Sequence, residues 1–216
     1  MNRLLIIAAL ILTAGAANAS QADTPSDTRE VGAIGGTSAR LRIVPCQPRT
    51  SFKKCSNISL SGDLLIADGD AFALRTKEIT HAVVTLSGNG GSTFAAIKIG
   101  EIIHAKKYTT NVDASQMCFS ACAYIWIAAE ERTIGREGML VFHPSFYAGS
   151  DSIADGSGNA IIGMYMAHLG YDYEDIMRMI GHGPNDLHVV FMRDNGVVDR
   201  RNMTAAEFRA ILAGEK

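Results

Sequence analysis

Residues 115–129 read SQMCFSACAYIWIAA, and a short polar stretch later residues 139–144 read MLVFHP. The first is an apolar run long enough for a buried helix, entered near Ser120. The second is a run of four apolar residues, the pattern of a strand buried on both faces, which delivers His143 and Pro144 at its end. A helix followed by a buried strand is half of a crossover unit, and the same alternation recurs on the N-terminal side. Asn57–Gly62 alternates like a strand, and Ala67–Lys77 has helical spacing. His81–Leu86 is strand-like and ends at the turn Ser87-Gly88-Asn89-Gly90-Gly91-Ser92. Phe94, Ile97, Ile99, Ile102 and Ile103 mark a helix that runs to Tyr108, and Thr109–Val112 is a short strand. Strands alternating with helices imply parallel strands joined by helical crossovers, so the fold class is α/β. Towards the C-terminus, residues 147–159 read as a Gly/Ser/Asp-rich loop, followed by helices over 160–169 and 172–180, a strand-turn over 189–198 and a closing helix from Thr204.

The N-terminus has a different character. Arg3 precedes the apolar stretch Leu4–Ala16, and Ala17-Asn18-Ala19 offers small residues before a polar segment, the three-part order of a secretory signal. The apolar run is shorter than the roughly 20 residues that span a bilayer, so cleavage after Ala19 is the reading and no stable membrane span is expected afterwards. The organisation is therefore a signal peptide over 1–19, a flexible lead-in over 20–45, and one domain over 46–216, located in the periplasm or secreted. Net charge is −2, and −3 once Arg3 is removed. That excludes a basic surface for nucleic acid.

Export makes disulfides permissible for the four cysteines. Cys46 and Cys55 bracket a polar, proline-containing loop, and a bridge between them is the favoured pairing. Cys118 and Cys122 stand four apart around Ser120. On a regular helix that spacing suits a disulfide poorly, whereas a turn into a helix allows one; two small buried hydrophobes are the other reading. A metal site from Cys118, Cys122 and His143 lacks the second ligand pair of structural zinc sites, Asp68-Gly69-Asp70 is too short for a calcium loop, and the Gly90-Gly91 turn lacks the lysine of a P-loop. Neither metal nor cofactor is expected.

Four elements occur in order: Ile58-Ser59-Leu60-Ser61-Gly62, the Ser87–Ser92 turn, Cys118-Phe119-Ser120-Ala121-Cys122, and Leu140-Val141-Phe142-His143-Pro144. Together, over about residues 57–199, they resemble the proteolytic subunits of Clp proteases within the crotonase-like superfamily, especially exported bacterial relatives. The resemblance implies a fold of repeated β-β-α units with a mostly parallel sheet flanked by helices, and a serine peptidase or hydrolase acting on a peptide or acyl substrate. It implies Ser120 as nucleophile, His143 as general base, and Gly91 and Ala121 as amide donors of an oxyanion hole, with Gly90 lining the substrate path. Where the family often has proline before the glycine pair, this chain has Asn89. For the orienting carboxylate the choice is Asp186, with Asn185, Asp194 and Asp172 as alternatives. The family's proteases assemble as rings, which makes a homo-oligomer an expectation with the subunit number open. A non-catalytic interaction module of the same fold and an acyl-thioester enzyme of crotonase type are the rival functions.

Overall fold

The computed structural model describes residues 39–46, 55–146, 155–181, 183, 185–196 and 198–214. The expected signal peptide lies outside these residues, as do 20–38 of the lead-in, the loop 47–54 and residues 147–154. Among the described residues no helix is long and apolar enough to cross a membrane.

Strand β1 (Arg40–Pro45) runs antiparallel to β2 (Cys55–Leu64), and Cys46 and Cys55 form a disulfide at their far end with Cα atoms 5.3 Å apart. Residues 40–45, expected within a flexible lead-in, thus form a strand. Leu41 is buried and Ile43 packs against the core, so two apolar residues at strand spacing suffice to seat an edge strand. After α1 (Asp68–Thr76) comes β3 (His81–Gly91), which runs through the glycine-rich segment that reads as a turn and pairs parallel with β2 up to Leu64. Helix α2 (Thr93–Lys106) opens on Ser92, whose side chain accepts the Ala95 N–H, and leads to β4 (Thr109–Val112).

The apolar run 115–129 is not one helix. It is a three-residue strand, β5 (Met117–Phe119), then α3 (Ala121–Trp126), broken at Ser120. A continuous apolar run has no period to tell strand from helix, and here pairing decides: Met117, Cys118 and Phe119 lie parallel to Met139, Leu140 and Val141 of β7 (Met139–Phe142). Between them, β6 (Arg132–Ile134) pairs with β4. The chain continues through α4 (Gly156–His168) and α5 (Tyr173–Ile180) to β8 (Asp186–Met192), β9 (Val198–Thr204) and α6 (Ala205–Leu212). The single strand-turn expected over 189–198 is thus an antiparallel pair. The closing helix starts at a capping box in which Thr204 and Glu207 exchange hydrogen bonds.

One sheet holds the strands in the order β1-β2-β3-β5-β7-β8-β9, parallel from β2 to β7 and antiparallel at both ends. It forks at β3, whose first half pairs with β4 and whose glycine-rich end touches β5 at Gly88–Cys118. The main core lies between this sheet and the helices, with Phe72, Ile99, Ile103, Tyr124 and Leu140 almost fully buried. Each such side chain contributes about 1.5–3 kcal/mol. Gly100 leaves the space into which the Tyr165 hydroxyl reaches to donate to the Tyr124 carbonyl (3.0 Å), locking α4 onto α2 and α3. On the other face Val141, Leu187 and Val189 pack under Phe208 of α6. The protein is a mixed α/β fold, a multi-stranded sheet flanked by helices, and the C-terminal ends of β3, β5 and β7 meet along one edge.

Candidate active site

At that edge three strands end in residues singled out by the sequence. Ser120 follows β5 with φ 58° and ψ −123°, a conformation that few non-glycine residues adopt. Such backbone costs on the order of 1–3 kcal/mol and persists only where the surroundings enforce it. Here the Ser120 N–H donates to the Val141 carbonyl of β7 (2.7 Å), and the Ser120 carbonyl accepts the Ala123 N–H (2.9 Å). Cys118 and Cys122 on either side form a disulfide with Cα atoms 5.2 Å apart. The sharp strand-to-helix turn makes that four-residue spacing compatible with a bridge, and the bridge removes both thiols as metal ligands.

The glycines abut this turn. A Cβ on Gly90, which has φ +99°, would stand 2.7 Å from the Phe119 carbonyl oxygen, 2.7 Å from Ser120 Cβ and 2.8 Å from the Ala121 nitrogen. Only a residue without a side chain fits between β3 and the serine turn. Gly91, at φ +114°, lies instead against Leu64 of β2, and Ser92 donates to the Leu64 carbonyl. Asn89 donates from its amide to Asp63 (3.2 Å), a brace across β2 and β3. Ala121 is the first residue of α3, so its N–H has no partner within the helix.

His143 follows β7, next to β5 in the sheet. Because Phe119 is level with Val141, Ser120 and His143 leave the same edge one residue out of step. The imidazole is 5% exposed. It lies between two rings, stacked on Phe146 and tilted against Phe119, each with centroids 5.0 Å away. Nδ1 is 2.7 Å from the Pro144 carbonyl. A carbonyl only accepts, so Nδ1 carries the proton and Nε2 presents its lone pair. Burial holds the imidazole below its ordinary pKa of 6.5, opposed in part by the Pro144 bond, so it is neutral at pH 7. The His143 carbonyl accepts the buried Tyr124 hydroxyl (2.7 Å). Among the described residues no hydrogen bond joins the Ser120 hydroxyl to the imidazole.

Among the described residues no hydrogen bond joins Asp186 to His143. Its carboxylate accepts the Gly183 N–H (3.0 Å) while its own N–H donates back to the Gly183 carbonyl (2.9 Å), closing a turn before β8. Of the alternatives, Asp172 caps α5 by accepting the Asp175 N–H, Asn185 accepts the Ala205 N–H on its carbonyl, and Asp194 is exposed in the β8–β9 turn. The Pro144 carbonyl therefore stands where a carboxylate was expected. No side-chain pattern signals a backbone acceptor. Tyr124 was missed as well, although a tyrosine inside an apolar run always needs a partner for its hydroxyl. Among the described residues no group of three or more His, Cys, Asp or Glu could hold a metal ion. A largely apolar cavity of about 140 Å³ between β7–β9 and α6, lined by Met139, Val189, Phe191, Met203, Phe208 and Ile211 together with Asp199 and Arg201, includes neither Ser120 nor His143.

No family model matches the chain, and no curated protein matches it. Among solved structures it is similar to two of a membrane-bound stomatin-specific protease. One is a serine-to-alanine mutant, 13% identical, with a TM-score of 0.45 over 73% of this chain and 74% of that one. The other is a lysine-to-alanine mutant in complex with a substrate peptide, 14% identical, with a TM-score of 0.46 over 73% of this chain and 70% of that one.

Proposed function

We propose that this protein is an exported serine hydrolase, a peptidase of Clp-protease and crotonase type built from successive β-β-α units. Ser120 Oγ attacks a substrate carbonyl, and His143 Nε2 takes the hydroxyl proton and passes it to the leaving group. Water then releases the acyl group by the same route in reverse. The Pro144 carbonyl holds Nδ1–H, fixing the tautomer and favouring the transient imidazolium, so the orienting role expected of Asp186 passes to the backbone. The Gly91 and Ala121 amides receive the oxyanion, and Gly90 keeps the approach to Ser120 clear. The observation that carries this reading is the strained Ser120 turn, tied by its N–H to the strand that ends in an imidazole with Nε2 unprotonated. Two disulfides fit an oxidising compartment, the periplasm or the outside of the cell.

A serine-directed fluorophosphonate tests it. Wild-type protein should gain the label on Ser120, whereas Ser120→Ala should gain none and His143→Ala should react far more slowly. Folded wild-type protein that stays unlabelled, and hydrolyses an activated ester no faster than Ser120→Ala, would defeat the hydrolase reading and favour a non-catalytic module.

A further inference from the structure

The Cys118–Cys122 bridge closes the ring Cys-Phe-Ser-Ala-Cys with Ser120 at its centre. One end is in β5 and fully buried; the other is the second residue of α3 and 4% exposed. Helix α3 has six residues, too few to form without tertiary support, and the Ser120 side chain does not cap it. Burial of Ala121–Ile125 seats the helix in the core, while few backbone bonds cross the turn itself. The backbone of Ser120 has one bond to β7, and the Ala123 and Tyr124 N–H groups converge on its carbonyl at 2.9 and 3.4 Å. Gly90 blocks the turn from one side without holding it. The covalent link spans Ser120, the one residue of the ring with a positive φ.

The geometry points to this bridge as the positioning device for the nucleophile, so that the hydrolase reaches full activity only when Cys118 and Cys122 are oxidised. The inference rests on Ser120 being the nucleophile. In the reaction the two thiols exchange with the disulfide of a thiol–disulfide oxidoreductase. One S–S bond forms and one breaks, two electrons pass to the donor, and the donor leaves as a dithiol carrying both protons. Because both sulfurs are buried in the folded chain, exchange takes place before the turn closes. A chain that folds in a reducing compartment would keep an unconstrained serine. A chain folding after export would lock it.

The test uses Cys46→Ala/Cys55→Ala protein, in which Cys118–Cys122 is the sole remaining bridge, beside wild type and Cys118→Ala/Cys122→Ala. Three readings are taken on each: fluorophosphonate labelling of Ser120, kcat and KM on an activated ester, and hydrogen exchange of the Ala123 and Tyr124 amides. Loss of Cys46–Cys55 should leave all three unchanged. Loss of Cys118–Cys122 should slow labelling about 10- to 100-fold, lower kcat to match with KM unchanged, and speed exchange at both amides. Refolding the Cys46→Ala/Cys55→Ala protein from denaturant with the bridge held open by a phosphine should give the same change, restored on refolding under an oxidant, even where the Cys118→Ala/Cys122→Ala protein does not fold. Equal labelling with and without the bridge overturns the inference and leaves the hydrolase reading intact. No labelling in the oxidised protein, with exchange still faster on opening, defeats the hydrolase reading and with it the inference, although the bridge still orders the turn. Neither labelling nor a change in exchange overturns both.

Discussion

Replacing Gly90 by alanine adds one methyl group between β3 and the Ser120 turn. That methyl carbon would lie 2.7–2.8 Å from three atoms of the Ser120 turn, two of them backbone, at a φ of +99°. The backbone conformation costs alanine on the order of 1–3 kcal/mol. Forcing β3 and the serine turn apart costs a further 1–3 kcal/mol or so. Gly170 supplies the reference. It has φ +90° and no atom within 4 Å of an added Cβ, so Gly170→Ala carries the backbone cost alone. At roughly 2–4 °C per kcal/mol for a domain of this size, Gly90→Ala should melt about 10 °C below wild type, and Gly170→Ala about half as far below. Activity separates them more sharply. A shift of about 1 Å in Ser120 is worth on the order of 100-fold in turnover, while Gly170 lies between α4 and α5, away from the chemistry. Thermal melting and ester turnover of both variants decide the matter. A Gly90→Ala protein that melts no lower than Gly170→Ala and keeps its turnover would refute the close contact between β3 and the Ser120 turn.

Ser120→Gly should abolish hydrolysis yet melt at or slightly above the wild-type temperature, because glycine removes backbone strain of about 1–3 kcal/mol at φ 58°; a clear drop in melting temperature would show that the turn is unstrained. Tyr124→Phe leaves the His143 carbonyl without its donor and should cost about 1–3 kcal/mol, with kcat falling and KM unchanged; equal stability of the two proteins would contradict it. For pH, burial depresses the His143 pKa below 6.5, so the neutral base persists down to that value. Its contribution to stability is full above pH 6.5 and is lost as pH falls through the folded pKa, where the unfolded chain takes up the proton first. The acid limb of kcat/KM should therefore have its midpoint below 6.5, and a midpoint at or above 6.5 would mean that the imidazole is not desolvated. Asp186→Asn should turn over an activated ester as fast as wild type, since an amide oxygen also accepts the Gly183 N–H; a tenfold fall would return the carboxylate to the mechanism.

Helices and strands with a period of their own were readable directly. The spacing of Phe94, Ile99 and Ile103 marked α2, and the alternation over Asn57–Gly62 marked β2. Segments whose state depends on a partner were not. Residues 117–119 become strand because β7 lies alongside, and 87–91 extend β3 because β2 continues beside them. Arg40–Pro45 is a strand because β2 offers an edge. Local sequence holds no record of such neighbours.

The same division runs through the candidate site. The sequence by itself determined the residue types: a serine between two cysteines, a histidine at the end of an apolar strand, and a pair of glycines after another. It also determined that these lie on successive β–α units, because hydrophobic period is a local property. Only the tertiary structure decided their relations. Sheet register brings Ser120 and His143 to one edge, the absence of a Cβ lets Gly90 touch the serine turn, and that turn makes Cys118 and Cys122 close enough to bridge. It decided as well that the imidazole proton goes to the Pro144 carbonyl and not to Asp186. Every residue carries a carbonyl, so which one accepts depends on where the backbone runs and on what burial shields from water.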